Sequence, residues 1–134
     1  MSEQEILDIA NPIMDNLMEA STNIDHERHV RDFNKRMLKI VTRDYLNEVC
    51  VKYQAEKGFF ADRELVAVFR RPDSAAIVWK QYYTKAPGEH VAELVIVYED
   101  GRFLETTQWF SKRVLTKSFK RDLARVAIFN LRCV

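Results

Sequence analysis

The sequence predicts an α+β fold, with N-terminal helices packed on a four-stranded, mainly antiparallel sheet. Three observations predict it. Turn signals at Arg71-Pro72-Asp73-Ser74, Ala86-Pro87-Gly88-Glu89 and Glu99-Asp100-Gly101-Arg102 divide the second half into stretches rich in Val, Ile, Phe, Tyr and Trp. Proline presets φ for a turn, glycine accepts positive φ, and Asp-Gly is the strongest two-residue hairpin signal, so residues from about 62 to 111 read as a four-stranded meander. The residues before it carry apolar side chains at helical rather than alternating spacing. The composition, 47% hydrophobic and 31% charged over 134 residues, suits one globular domain with a real core.

Each element has its own warrant. Ile6, Ile9, Ile13 and Leu17 recur at helical spacing over residues 3–20, with Leu7, Met14 and Met18 widening the stripe; Pro12 predicts a kink or a later start. A short helix is expected over residues 25–33, capped by Asn23 or Asp25. Residues 37–41, Met-Leu-Lys-Ile-Val, read as a short strand. Thr42 suits an N-cap and Asp44 the positive end of the following helix, whose Tyr45, Leu46, Val49, Cys50 and Tyr53 share a face and which Gly58 closes.

The turns also predict registers. A two-residue loop at Asp100-Gly101 sets Tyr98 opposite Phe103 and Ile96 opposite Glu105. A four-residue loop at Ala86–Glu89 sets Trp79 opposite Ile96 and Gln81 opposite Leu94. Both place Ile77, Trp79, Gln81, Tyr83, Ala92, Leu94, Ile96, Tyr98, Phe103, Glu105, Thr107 and Trp109 on one face, which is the more apolar and is expected to meet the helices. The other face mixes charge with Val78, Val95, Val97 and Leu104, as a half-exposed sheet or a dimer interface does.

Charge is uneven although the net value is only +1. From Ser111 onward seven Lys and Arg accompany a single acid, Asp122, so the preceding part is net acidic. The tail's Leu115, Phe119, Leu123, Val126 and Phe129 form an apolar stripe, which favours docking on protein over a solvated nucleic-acid arm. The domain is thus expected over residues 1–110, with 111–134 as a basic amphipathic extension of it. No apolar run approaches the roughly 18–20 residues of a membrane span. The acidic start lacks the regions of a signal peptide, and Cys50 and Cys133 have no metal or CxxC spacing; a reduced, cytoplasmic protein is expected.

The order of elements resembles the nuclear-transport-factor-2-like (cystatin-like) superfamily, a cone of helices wrapped by a curved sheet. The matching features run from Asp32-Phe33 to Phe110: Val41-Thr42 opening a helix, Gly58 closing it, Glu64 to Arg70 as the next strand, and Asp100-Gly101-Arg102-Phe103 as the last hairpin. The resemblance implies a pocket and admits cyclases, isomerases, dehydratases, the small subunit of ring-hydroxylating dioxygenases and non-catalytic modules. It implies no cofactor. The Tyr/Asp/Asp set of the isomerases has no match here.

Glu105 is the candidate catalytic residue, as the only acid on the apolar face of the last two strands. Burial disfavours a charged carboxyl and raises its pKa, which suits a proton carrier; the plainer alternative is a carboxylate near the mouth, paired with Lys or Arg. Tyr45, Tyr53, Trp79, Gln81, Tyr83, Ile96, Tyr98 and Thr107 are the candidate ligand-binding residues, with ordinary core packing as the alternative. His26 and His29 lack further ligands for a metal, and Cys50 lacks a histidine to activate it. The three glycines punctuate turns and form no phosphate loop. Three readings stand: a small-molecule-binding protein taking a small apolar or aromatic ligand, extending to a cofactor-independent isomerase, cyclase or dehydratase; a non-catalytic interaction module, homodimeric through the outer sheet face; and a structural dioxygenase subunit.

Overall fold

A computed structural model describes residues 1–106. The order is α1 (Glu3–Thr22), α2 (His26–His29), α3 (Lys35–Ile40), α4 (Arg43–Lys57), β1 (Phe60–Arg70), β2 (Ser74–Tyr83), β3 (His90–Glu99) and β4 (Arg102–Glu105). The strands form an antiparallel sheet in sequential order, open rather than closed into a barrel. This is the expected α+β architecture. The expected boundary at 110, the extension 111–134, and Thr107 and Trp109 lie outside the described residues.

Helix α1 begins with a capping box: the Ser2 hydroxyl accepts from the Glu5 N–H while the Glu5 carboxylate accepts from the Ser2 N–H. It runs unbroken through Pro12. At its end the Asp25 N–H reaches the Ala20 carbonyl and the Ile24 N–H reaches the Ser21 carbonyl, a Schellman closure. Ile24 holds φ of 52° there, a conformation costly for a β-branched residue. Its side chain packs against the core, which offsets the strain.

The strand expected over residues 37–41 is a helix. The Asn34 side chain accepts from the Met37 N–H and starts α3, and only Met37 of its six residues is fully buried. A local cap and a one-sided burial pattern override the β-branched Ile40-Val41 pair, as short apolar runs allow. Thr42 caps α4 as expected, and Gly58 ends it with φ of 77°. A Cβ at Gly58 would lie 2.2 Å from the Thr84 hydroxyl oxygen, so close approach as well as conformation requires glycine.

The β3–β4 register is as expected, with Ile96 opposite Glu105 and Tyr98 opposite Phe103. Asp100 and Gly101 both take positive φ, as the tight hairpin requires. The β2–β3 register differs from expectation by four residues: Trp79 lies opposite Ala92, Gln81 opposite His90 and Ala75 opposite Ile96. The connection is longer than the Pro-Gly turn implied. An even shift preserves facing, because side chains alternate with a period of two. Hence Ile77, Trp79, Gln81, Tyr83, Ala92, Leu94, Ile96 and Glu105 are all buried on the predicted face. Tyr98 is the exception at 61% exposure, since it stands at the sheet's end. Helix residues Ile6, Ala10, Ile13, Met14, Leu17, Met37, Leu46 and Cys50 complete the core. On the opposite face Ala76, Val95 and Leu104 are buried too.

Candidate functional site

At one end of the sheet, where β1 turns into β2, a cleft of about 490 Å³ opens. Its apolar walls come from Ile6 on the first turns of α1, Ala75 on β2, Ile96 and Tyr98 on β3, and Phe103 on β4; Arg70, Arg71 and Asp73 stand at the turn. The register explains the opening. Arg70 lies opposite Ala75, which lies opposite Ile96, so three neighbouring strands place one row on the helix-facing side with a methyl group at its centre. The next row inward has Val68, Ile77 and Leu94 in the same places and is filled. Tyr98 and Phe103 meet edge to face at 5.1 Å and wall the cleft on the β4 side.

Glu105 lies one step deeper than Phe103 on the same strand face. It is 1% exposed, and burial, then the charge of Asp32, pushes its carboxyl well above the ordinary range. Burial thus favours the protonated form of this carboxyl. Its backbone is clamped by the segment between α2 and α3: the Glu105 N–H donates to the Asp32 carbonyl at 2.7 Å, and the Asn34 N–H donates to the Glu105 carbonyl at 3.1 Å. Outside this clamp Asp32 meets Arg31 at 3.0 Å and Arg102 at 3.7 Å.

The other predicted site residues divide by place. Ile96 and Tyr98 line the cleft with Glu105 behind them. Trp79 is buried under the Arg63 guanidinium, 5.2 Å above its ring, which also reaches Asp15 at 2.7 Å and so ties β1 to α1. Gln81 is fully buried, and its Nε2 donates to the carbonyls of Ala61, Asp62 and Tyr82. These include the two residues between Phe60 and Arg63, where β1 bulges and loses its ladder, so Gln81 satisfies strand backbone instead of ligand. Tyr53 bonds the Ser21 hydroxyl at 2.9 Å and packs on Phe60. Tyr83 packs between Phe60 and His90. Tyr45 is half-buried on α4 against the core. Thr107 lies outside the described residues. The tyrosines of α4 thus do not converge with Glu105 on the cleft.

Two readings of single residues resolve structurally. His26 Nε2 lies 2.7 Å from the Val41 carbonyl, whereas the His29 ring is buried edge-on to Phe33 at 5.4 Å, so the pair is not a shared metal face. Burial lowers the His29 pKa to about 4. Cys50 is buried 3.4 Å from the Ser21 hydroxyl, and burial raises its thiol. Sequence reasoning missed Arg70 and Ala75 as site residues. The signal was present in the small Ala75-Ala76 pair beside Arg70-Arg71, and it needed the β1–β2–β3 register to acquire meaning.

No family profile matches the chain, and no curated protein matches it. Among solved structures, a SEC-C motif-containing protein of Rhodopseudomonas palustris aligns with TM-score 0.50 and 13% identity over 75% of this chain and 88% of that one. A Bdellovibrio bacteriovorus protein, Bd1075, aligns with TM-score 0.45 and 10% identity over 84% of this chain and 45% of that one. The first likeness concerns the fold alone. These findings correct the expected membership of the nuclear-transport-factor-2-like superfamily: neither sequence nor structure comparison returns it. The resemblance rested on the order of common elements, helices followed by a meander, which unrelated chains share. Among the described residues no helix is long and apolar enough to cross a membrane.

Proposed function

We propose that this chain is a small-molecule-binding protein whose ligand occupies the cleft at the β1–β2 turn. The observation that carries the reading is the cleft itself: about 490 Å³, walled by Ile6, Ala75, Ile96, Tyr98 and Phe103, with its polar groups gathered at one side. Sites for single small molecules have this size and this mixture. The catalytic extension, an isomerase, cyclase or dehydratase without cofactor, assigns Glu105 as the proton carrier behind the Ile96–Phe103 floor, because burial shifts its carboxyl toward the protonated form. Native mass spectrometry of the gently purified full chain tests the binding reading. A retained small molecule, lost in an Ala75→Leu variant that fills the cleft, is the expected result. Retention unchanged by that substitution sinks the assignment of the site.

A second reading, a protein-interaction or dimerisation module, draws on the β1 edge of the sheet, with which no other described strand pairs. Leu65, Val66 and Phe69 of β1 are 43%, 55% and 50% exposed, and an edge strand offers backbone groups to a partner. The β1 edge joins the outer sheet face, expected from sequence, as a candidate dimer contact. Sedimentation velocity decides it: a dimer that Val66→Lys converts to monomer supports the edge contact, and a monomer at all concentrations removes it.

A further inference from the structure

The cleft's chemistry restricts its ligand further, and this deduction rests on the binding reading above. The lining is divided in two. Ile6, Ala75, Ile96, Tyr98 and Phe103 form the apolar part of a cleft of about 490 Å³, while the charged groups lie together at the β1–β2 turn. Two of these are guanidinium groups, Arg70 and Arg71, and one is a carboxylate, Asp73, which accepts a hydrogen bond from the Ser74 hydroxyl at 3.2 Å. Arg70 points along the same face as Ala75 and so toward this apolar part, and it makes no ion pair among the described residues. Four other arginines are ion-paired among the described residues, Arg28 with Glu19, Arg31 and Arg102 with Asp32, and Arg63 with Asp15, whereas Arg36 and Arg43, outside the cleft lining, are not.

We infer that the cleft takes an aromatic carboxylate, its ring between Ile96 and the Tyr98–Phe103 pair and its carboxylate on the Arg70 guanidinium. A guanidinium presents two parallel N–H donors that match a carboxylate, and Arg binds this group better than a point charge does. The edge-to-face Tyr98–Phe103 pair offers a third ring a favourable stacked or edge contact. A cation would meet the Arg70 guanidinium, and a neutral ligand would leave it without a counter-charge.

The test titrates the full chain with 2-naphthoate, its neutral amide and the corresponding 2-naphthylmethylammonium, by calorimetry at low salt. Naphthoate is expected to bind roughly tenfold or more tightly than the amide, the worth of one charge-assisted hydrogen-bonded pair, and the ammonium more weakly still. Arg70→Gln is expected to bring naphthoate down to the amide's affinity, Arg70→Lys to recover part of the loss, and Ala75→Leu to abolish binding of both. Tyr98→Ala, at an exposed position, replaces Ala75→Leu if that variant does not fold. Equal affinity for acid and amide, with both lost on filling the cleft, overturns the anion preference and leaves the site standing. Binding of no probe, or binding that neither cleft variant weakens, overturns the site and this inference with it.

Discussion

Two buried titratable residues respond to pH in opposite directions. The Glu105 carboxyl is raised in the folded state by burial and then by Asp32, so as pH rises above the ordinary carboxylate value the unfolded chain releases its proton first. Its contribution to stability is therefore present in acid and lost as pH rises toward the folded-state value. Glu105→Gln keeps the shape and removes the charge. Thermal unfolding is expected to show this variant more stable than the parent at pH 8, with the gap closing toward pH 4; a variant less stable across that range contradicts the assignment. His29 runs the other way. Its folded-state pKa of about 4 lies below the ordinary 6.5, so the unfolded chain takes up the proton first and stability falls as pH drops from 6.5 to about 4. The loss amounts to at most about 3 kcal/mol. His29→Leu is expected to flatten the stability profile over that interval, measured by urea unfolding at stepped pH. Gln81, read from sequence as a ligand contact, holds strand backbone instead. Gln81→Leu is expected to cost about 0.5–1.5 kcal/mol, since it removes the donor shared by three part-buried hydrogen bonds to strand carbonyls. Ligand affinity at the cleft is expected to stay unchanged in that variant.

Among the elements, caps and turns carried most of what was legible. Thr42, Asp25 and the Asp100-Gly101 hairpin act as their residue types predict, because each of these effects is local and needs no tertiary partner. The elements that misled were those decided by length or neighbours. Residues 37–41 are too short for periodicity to separate strand from helix, and Asn34 supplied the deciding cap. The β2–β3 connection exceeded its Pro-Gly signal, and the resulting shift of four left every facing intact because it was even. Gly58 joins both kinds of information: its position after α4 was visible in sequence, while the Thr84 hydroxyl against it was not. Gly58→Ala is expected to destabilise by more than the usual ~1 kcal/mol of a strained φ, because the new methyl must also displace Thr84. A midpoint in urea equal to the parent's would show that the loop yields freely.

For the whole molecule, the sequence determined the layers and the tertiary structure decided the site. Alternation along β2, β3 and β4 is enough to say which side chains face the helices, and those residues are buried as the pattern requires except at the sheet's end, where Tyr98 is exposed and Phe103 half-buried. Glu105 was found this way, because a lone acid in an apolar row stands out without coordinates. Its surroundings did not follow. Whether Tyr45, Tyr53 or Tyr83 lies beside it depends on how far along the sheet each strand pairs and where α4 crosses, which are long-range quantities that no local spacing encodes. The cleft is the clearest case. It exists because Arg70, Ala75 and Ile96 fall into one row across three strands where α1 only begins, so a small side chain meets no neighbour large enough to fill the gap. Patterning fixes what is buried, since burial is a property of each residue's face; a cavity is a property of what several distant residues fail to occupy together.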